Sequence, residues 1–291
     1  MRPAVVQRLL EVPGGLAADP LRRFLRAHVV PGAERHLDGV HERVVPTRRG
    51  PVEVRIDLGT SPRCATVVLD APGDVVDEVI PLVRRWLDLD ADHVSAEAWL
   101  GADPLLAPLV AARPGLRFPR AVVGAETAVL TVLGQQVSLA AACTFAGRLV
   151  AAYGTPVDTL VAFPGPQALA AAGAEGIQAV TGITGARART LHALATAIAD
   201  GLDLEAAAHD PVRAAAAHAE LLALPGIGPW TADYVALRVF GDSDAFLSGD
   251  LVLRRALGGM SAKAAVARAE PWRPWRGYAL LHLWTAEVFA P

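Results

Sequence analysis

The residues with chemical potential in this chain gather towards its C-terminal end. In Leu221-Leu222-Ala223-Leu224-Pro225-Gly226-Ile227-Gly228-Pro229-Trp230-Thr231-Ala232-Asp233-Tyr234, an apolar helix end meets a Pro-Gly-Ile-Gly-Pro turn, and a second helix starts at Trp230. Glycine admits the φ values such a turn needs and lets another backbone come close. The free N–H groups and dipole of the following helix suit an anion. A helix–hairpin–helix of this kind grips phosphates without reading sequence. Trp230 and Tyr234 lie four apart on one helix face, either as core or as the wall of a pocket beside the grip. Ser248-Gly249-Asp250 opens another helix. Asp250 there is an N-cap by residue type, and its carboxylate is equally an electrostatic tool if it turns towards Trp230. The run Pro271-Trp272-Arg273-Pro274-Trp275-Arg276-Gly277-Tyr278-Ala279-Leu280-Leu281-His282-Leu283-Trp284 is dense in aromatics and arginines, which either stack bases and hold phosphates or build a cation–π core.

These residues need a frame. Residues 1–30 read as mostly helical, with Pro20 opening one segment. His36 to Val45 reads as strand. Val52-Glu53-Val54-Arg55-Ile56-Asp57-Leu58 alternates strictly, and Ala65-Thr66-Val67-Val68-Leu69 is a further strand. Val75 to Leu87 has helical periodicity. Together they predict a small α+β domain with an antiparallel sheet and no catalytic signal of its own. After the turn-rich connector Arg113-Pro114-Gly115-Leu116-Arg117-Phe118-Pro119 everything reads as helix: Ala125–Val137, Leu139–Tyr153, Pro166–Ala172, Ala186–Ala199, Pro211–Leu222 and Trp230–Phe240. The expected division is an N-terminal α+β domain over 1–100 and a helical region over 101–291. The helical region splits into a central lobe (about 125–242) and a second lobe (about 101–124 plus 243–291).

Composition narrows the function classes. The 291 residues include 27 Lys+Arg and 30 Asp+Glu, a net charge of −3, so any nucleic-acid contact must use a local patch. Residues 1–112 hold 13 basic and 16 acidic residues, and the remainder is balanced. No apolar run is long enough to span a bilayer. The first residues lack the apolar segment of a secretory signal, and two cysteines, Cys64 and Cys143, build neither a disulfide framework nor a four-thiolate site. A cytoplasmic setting is expected. The eight histidines show no HExxH spacing, and there is no Walker loop.

Several stretches, in the same order, resemble a known family: Ala111-Ala112-Arg113-Pro114-Gly115-Leu116-Arg117-Phe118-Pro119, Leu133-Gly134-Gln135-Gln136-Val137-Ser138, the hairpin, Asp250 and its surroundings, and Pro274 to Trp284. The chain resembles the alkyl-base DNA glycosylases (DNA-3-methyladenine glycosylase II) of the helix-hairpin-helix Gly/Pro/Asp superfamily. The resemblance implies an N-terminal antiparallel α+β domain followed by an all-α helix-hairpin-helix glycosylase fold in two helical lobes. It implies roles as well. Asp250 would be the catalytic carboxylate. Trp230, Tyr234, Trp284 and Phe24 would line the base pocket. Gly226, Ile227, Gly228 and Thr231, with Gln135 and Gln136 of the 134–138 turn, would contact DNA. Backbone carbonyls of Leu222, Leu224 and Ile227 would hold an Na+ or K+ ion, with no other cofactor required. The duplex wedge, often leucine in the family, is matched by Gln136, and a family tyrosine after the catalytic Asp is replaced by Leu251.

The expectation is a monofunctional, monomeric enzyme that flips alkylated purines of the 3-methyladenine type out of double-stranded DNA and hydrolyses the N-glycosidic bond, starting base excision repair. It would be cytoplasmic and nucleoid-associated when bound. Relatives that also nick the strand carry lysine two residues after the second hairpin glycine; Trp230 stands there, and Lys263 is the chain's only lysine. The alternatives are the same fold acting on deaminated or oxidised bases, and a catalytically silent DNA-binding module. Co-occurrence of Asp250 and Trp284 with the hairpin favours the enzyme, because a bare phosphate grip needs neither.

Overall fold

Val54 and Ile56 are fully buried while Arg55 and Asp57 face solvent, so the alternation in the sequence does become a half-buried strand. In the computed structural model, which describes residues 5–59, 64–70 and 72–288, that strand is β4 (Val52–Asp57). It lies in a five-stranded antiparallel sheet with β1 (Val5–Glu11), β2 (Glu34–Leu37), β3 (Val40–Val45) and β5 (Cys64–Asp70), in the order β1-β5-β4-β3-β2. Helices α1 (Ala18–Ala27) and α2 (Gly73–Trp86) complete the unit. Val75, Val76, Val79, Val83 and Trp86 form the buried stripe of α2. Each such aliphatic side chain removed from water contributes about 1.5–3 kcal/mol.

Two local expectations fail here. The described part of residues 1–30 is a strand followed by one helix, because β1 takes its hydrogen bonds from β5, in register from Val6↔Leu69 to Glu11↔Cys64. That partner is more than fifty residues away, and no local periodicity announces it. Likewise the region after the connector is not wholly helical. Thr155–Val157 (β6) and Leu160–Ala162 (β7) form a short hairpin. Its backbone is held by the sheet domain: Glu53 accepts from the Leu160 N–H at 2.6 Å, and Val161 N–H donates to Gly32 O at 2.9 Å.

The helical part comprises α3 (His93–Leu100), α4 (Ala107–Ala112), α5 (Gly124–Leu133), α6 (Leu139–Tyr153), α7 (Pro166–Thr181), α8 (Gly185–Ala199), α9 (Leu204–Ala207), α10 (Pro211–Ala223), α11 (Pro229–Val235), α12 (Leu251–Ala256), α13 (Ala262–Ala269) and α14 (Arg276–Val288). α11 continues as one π turn through Phe240 and stops at Gly241, whose φ of +72° closes the helix. The connector is stitched to both halves. The buried Arg117 donates to carbonyls of Gly15 (2.9 Å) and Asp88 (3.3 Å), Arg120 N–H to Trp86 O (2.7 Å) and Ala121 N–H to Arg238 O (2.8 Å). Asp103 joins α4 to the C-terminal helices by accepting from Arg268 (2.7 Å) and Trp272 (2.8 Å).

Candidate active site

Asp250 caps α12, with Oδ1 accepting the Leu253 N–H at 2.8 Å. It is also turned towards the aromatics. Trp284 Nε1–H donates to Oδ1 at 2.9 Å and Trp230 Nε1–H to Oδ2 at 3.1 Å. Three helices thus fix one half-buried carboxylate: α12 by its N-terminus, α11 through Trp230 and α14 through Trp284. The Trp230 and Tyr234 rings stack with centroids 5.3 Å apart, and Tyr234 meets Trp284 at 6.2 Å. With Phe24 these groups line a single open cleft of about 350 Å³. The structure therefore brings the four residues expected at a base pocket together with the expected catalytic carboxylate. Leu251 points away and is 72% exposed.

The cleft's other wall comes from the sheet domain, which sequence reasoning left as plain scaffold. His28, Glu34, His41, Arg43 and Trp86 all line it, opposite Glu126 and Arg238. Strand pairing sets Glu34 across from Arg43. Arg43 Nη1 lies 3.1 Å from Glu34 Oε1, and its Nη2 lies 2.8 Å from Glu126 Oε2 on α5. Its Cζ stands 5.1 Å from the Trp86 ring centroid. All three charges are buried. Burial pushes the Glu34 carboxyl up to about 7, with Arg43 pulling it down and Glu126 adding to the rise. One signal was available: His41 and Arg43 alternate onto the same strand face as the buried Val45, where an ordinary strand would carry apolar residues.

Buried imidazoles give the protein an acid limit. Burial, with Arg43 assisting, holds His41 down at about 3. Burial with Arg238 holds His28 at about 4, and burial with Arg113 holds His282 at about 4. Unfolded histidines protonate near pH 6.5. Between there and pH ~4 the unfolded chain binds more protons, so these groups stabilise the fold above pH ~6.5 and lose that contribution as pH falls. Glu34, at about 7, and Asp88, raised to about 6 mainly by burial, act oppositely: their contributions are complete at low pH and lost as pH rises through those values. Three rings outweigh two carboxyls. The thermal midpoint is expected to fall between pH 6.5 and 4.5, and a flat or rising midpoint in a melting series would contradict this balance.

At the hairpin Gly226 has φ +83°, and a Cβ there would meet Thr190 Oγ1 at 2.0 Å. Only glycine fits. Gly226 and Gly228 are exposed, and neither N–H has a backbone partner among the described residues. Ile227 packs its side chain inwards, and its N–H donates to Leu224 O at 3.2 Å. Two of the residues expected to contact DNA, Thr231 and Gln135, are hydrogen-bonded to each other. Thr231 is buried, and its Oγ1 accepts from Gln135 Nε2 at 3.1 Å. The same amide donates to Gly226 O at 3.1 Å. Gln135 therefore braces the 134–138 turn against the hairpin, while Gln136 stands exposed at the tip with φ +54°. His218 and Asp233 close the hairpin's base at 2.9 Å. Lys263 is exposed on α13, outside the residues that line the cleft.

Comparison with known proteins places this arrangement among relatives. The profile "AlkA N-terminal domain" matches residues 9–123, and "HhH-GPD superfamily base excision DNA repair protein" matches 129–268. A Mycobacterium tuberculosis protein described as "Probable bifunctional transcriptional activator/DNA repair enzyme AlkA" is 42% identical over 285 residues, covering 95% of this chain and 56% of its own length. The chain thus spans about half the length of that relative. DNA-3-methyladenine glycosylase 2 of Escherichia coli is 35% identical over 274 residues, covering 92% of this chain and 93% of its own. Among solved structures, a 3-methyladenine DNA-glycosylase from Archaeoglobus fulgidus superposes with a TM-score of 0.83 at 22% identity, covering 97% of this chain and 98% of that one.

Proposed function

Because the chain belongs to the DNA-3-methyladenine glycosylase 2 (AlkA) family of helix-hairpin-helix base-excision repair proteins, we propose that it excises alkylated purines from duplex DNA as a monomeric, monofunctional glycosylase. One observation carries the reading: a carboxylate pinned by two indole N–H groups at an aromatic cleft. A base cannot be cut from its sugar within the stack, so it is extruded into the cleft. A purine alkylated on a ring nitrogen is cationic and already a good leaving group. The faces of Trp230, Tyr234, Trp284 and Phe24 favour such a cation by roughly 0.5–2 kcal/mol. Its departure leaves positive charge on the deoxyribose, and Asp250 offsets that charge or orients water, as carboxylates do in glycoside hydrolysis.

The remaining parts serve positioning. The exposed Gly226 and Gly228 amides support a grip on backbone phosphate. The exposed Gln136 suits the gap left in the duplex. Carbonyls of Leu222, Leu224 and Ile227 are oxygen donors of the kind a hard cation takes; Leu224 O, which accepts from Ile227, keeps a second lone pair for it. Residues 1–100 and 101–291, the latter as lobes of about 125–242 and of 101–124 plus 243–291, are the working division. The proposed place of action is the nucleoid in the cytoplasm; among the described residues, no helix is long and apolar enough to cross a membrane.

Purified protein is expected to release 3-methyladenine from methylated duplex DNA, and borohydride is expected to trap no covalent adduct. Release of uracil or oxidised bases alone would overturn the substrate assignment. A trapped species would overturn the monofunctional one.

A further inference from the structure

His28 is one of the cleft residues whose chemistry the excision step leaves unused. It caps the C-terminus of α1, and its ring stacks on Phe24 with centroids 3.9 Å apart and planes 20° from parallel. Its Nδ1 lies 2.8 Å from Phe24 O. A carbonyl oxygen only accepts, so Nδ1 carries the hydrogen. Burial and the positive charge of Arg238 keep the ring neutral at physiological pH. The tautomer is then fixed: Nε2 carries a lone pair and no hydrogen. No hydrogen-bond partner for Nε2 occurs among the described residues, and the half-buried His28 lines the cleft.

Resting on the glycosylase reading, we propose that His28 is a specificity-determining residue: the in-plane lone pair of its Nε2, on an imidazole held flat against Phe24, accepts a hydrogen bond from an N–H on the edge of the extruded base. Three consequences follow from the chemistry. The imidazole is neutral, so it adds no charge to that of Arg238, whose Cζ already stands 4.8 Å from the Phe24 ring centroid. Bases that present an N–H are preferred: the exocyclic amine of 3-methyladenine, the N1–H and N2–H of 7-methylguanine and the N1–H of hypoxanthine. Ethenoadenine, whose bridged N1 and N6 carry no hydrogen, leaves Nε2 unpaired and is disfavoured. The preference arises on the sheet-domain side of the cleft, away from Asp250, and so acts on base identity separately from bond cleavage.

The test is single-turnover release from defined duplexes carrying hypoxanthine or ethenoadenine, which are both neutral bases and differ in the N–H. In His28→Leu the ratio of hypoxanthine to ethenoadenine release is expected to fall about tenfold, the worth of one hydrogen bond to a neutral acceptor. His28→Gln, which keeps an acceptor oxygen near that height, is expected to hold the ratio within about twofold of the parent, an effect too small to count as a lost hydrogen bond. An unchanged ratio in His28→Leu, or the same change in both variants, would mean that His28 only packs, and would overturn the inference. If the parent protein releases neither these bases nor 3-methyladenine from methylated DNA, the glycosylase reading itself fails, an outcome distinct from an unchanged ratio in an active enzyme.

Discussion

Replacing Asp250 by asparagine is expected to lower single-turnover base release by roughly two to three orders of magnitude, the usual cost of removing one preorganised electrostatic group from a transition state. Duplex affinity is expected to stay within about threefold, because the proposed phosphate grip uses the hairpin amides and not Asp250. The variant suits the question because asparagine is nearly as good an N-cap as aspartate. Its side-chain oxygen can still accept from Leu253 and Trp284, the two donors on Oδ1. Its NH2 then faces the Trp230 indole N–H, which loses its acceptor. Fold and cap persist while the negative charge and one clamp disappear. The measurements are excision kinetics on methylated DNA, fluorescence anisotropy on an uncleavable duplex, and a melting curve. Excision within tenfold of the parent would remove Asp250 from the chemistry.

The second large effect concerns stability. Arg43→Met leaves the Glu34 and Glu126 carboxyls buried side by side without the guanidinium that lies 3.1 and 2.8 Å from them. Breaking a buried ionic set by removing one partner costs about 3–5 kcal/mol. For a chain of this size that is a fall in thermal midpoint of roughly 6–10 °C. Replacing Glu34 and Glu126 by glutamine in the same variant is expected to recover part of the loss, because the unpaired charges are then gone. A single variant that melts within a degree of the parent would show that the triad contributes nothing measurable. The triad joins β2 and β3 to α5, so its loss is also expected to loosen the sheet-domain wall of the cleft, with weaker base release at temperatures well below the midpoint.

Legibility in the sequence followed the range of the interactions. The hairpin, the i,i+4 pair Trp230–Tyr234 and the alternation of β4 are local patterns, and each appears where its spacing puts it. Asp250 was legible as a cap and as a carboxylate able to turn towards Trp230, since its type and its place before a helix permit both, and the structure has it doing both at once. β1 and the β6–β7 hairpin were not legible, because their hydrogen bonds come from partners far away in the chain. The polar wall built from His28, Glu34, His41 and Arg43 escaped for a related reason. Each residue alone is an ordinary charged or polar position, and only the closure of the sheet domain against α5 and the α11 segment makes it the side of a cleft. The resemblance set Thr231 and Gln135 at the DNA, but no local pattern announced that Thr231 is buried and accepts a hydrogen bond from Gln135.

The indole of Trp230 has an evolutionary consequence. The family resemblance sets a lysine at this place in relatives that also nick the strand. Here the same side chain supplies one of the two indole donors to Asp250 and the stacking partner of Tyr234. A Trp230→Lys exchange would bring in an amine and, in the same step, unclamp the carboxylate and strip one wall from the pocket. On the proposed function, hydrolytic release and amine-mediated cleavage are therefore alternatives at a single codon. A lineage passing from one to the other must first acquire a new support for Asp250, or cross an intermediate that performs neither reaction well.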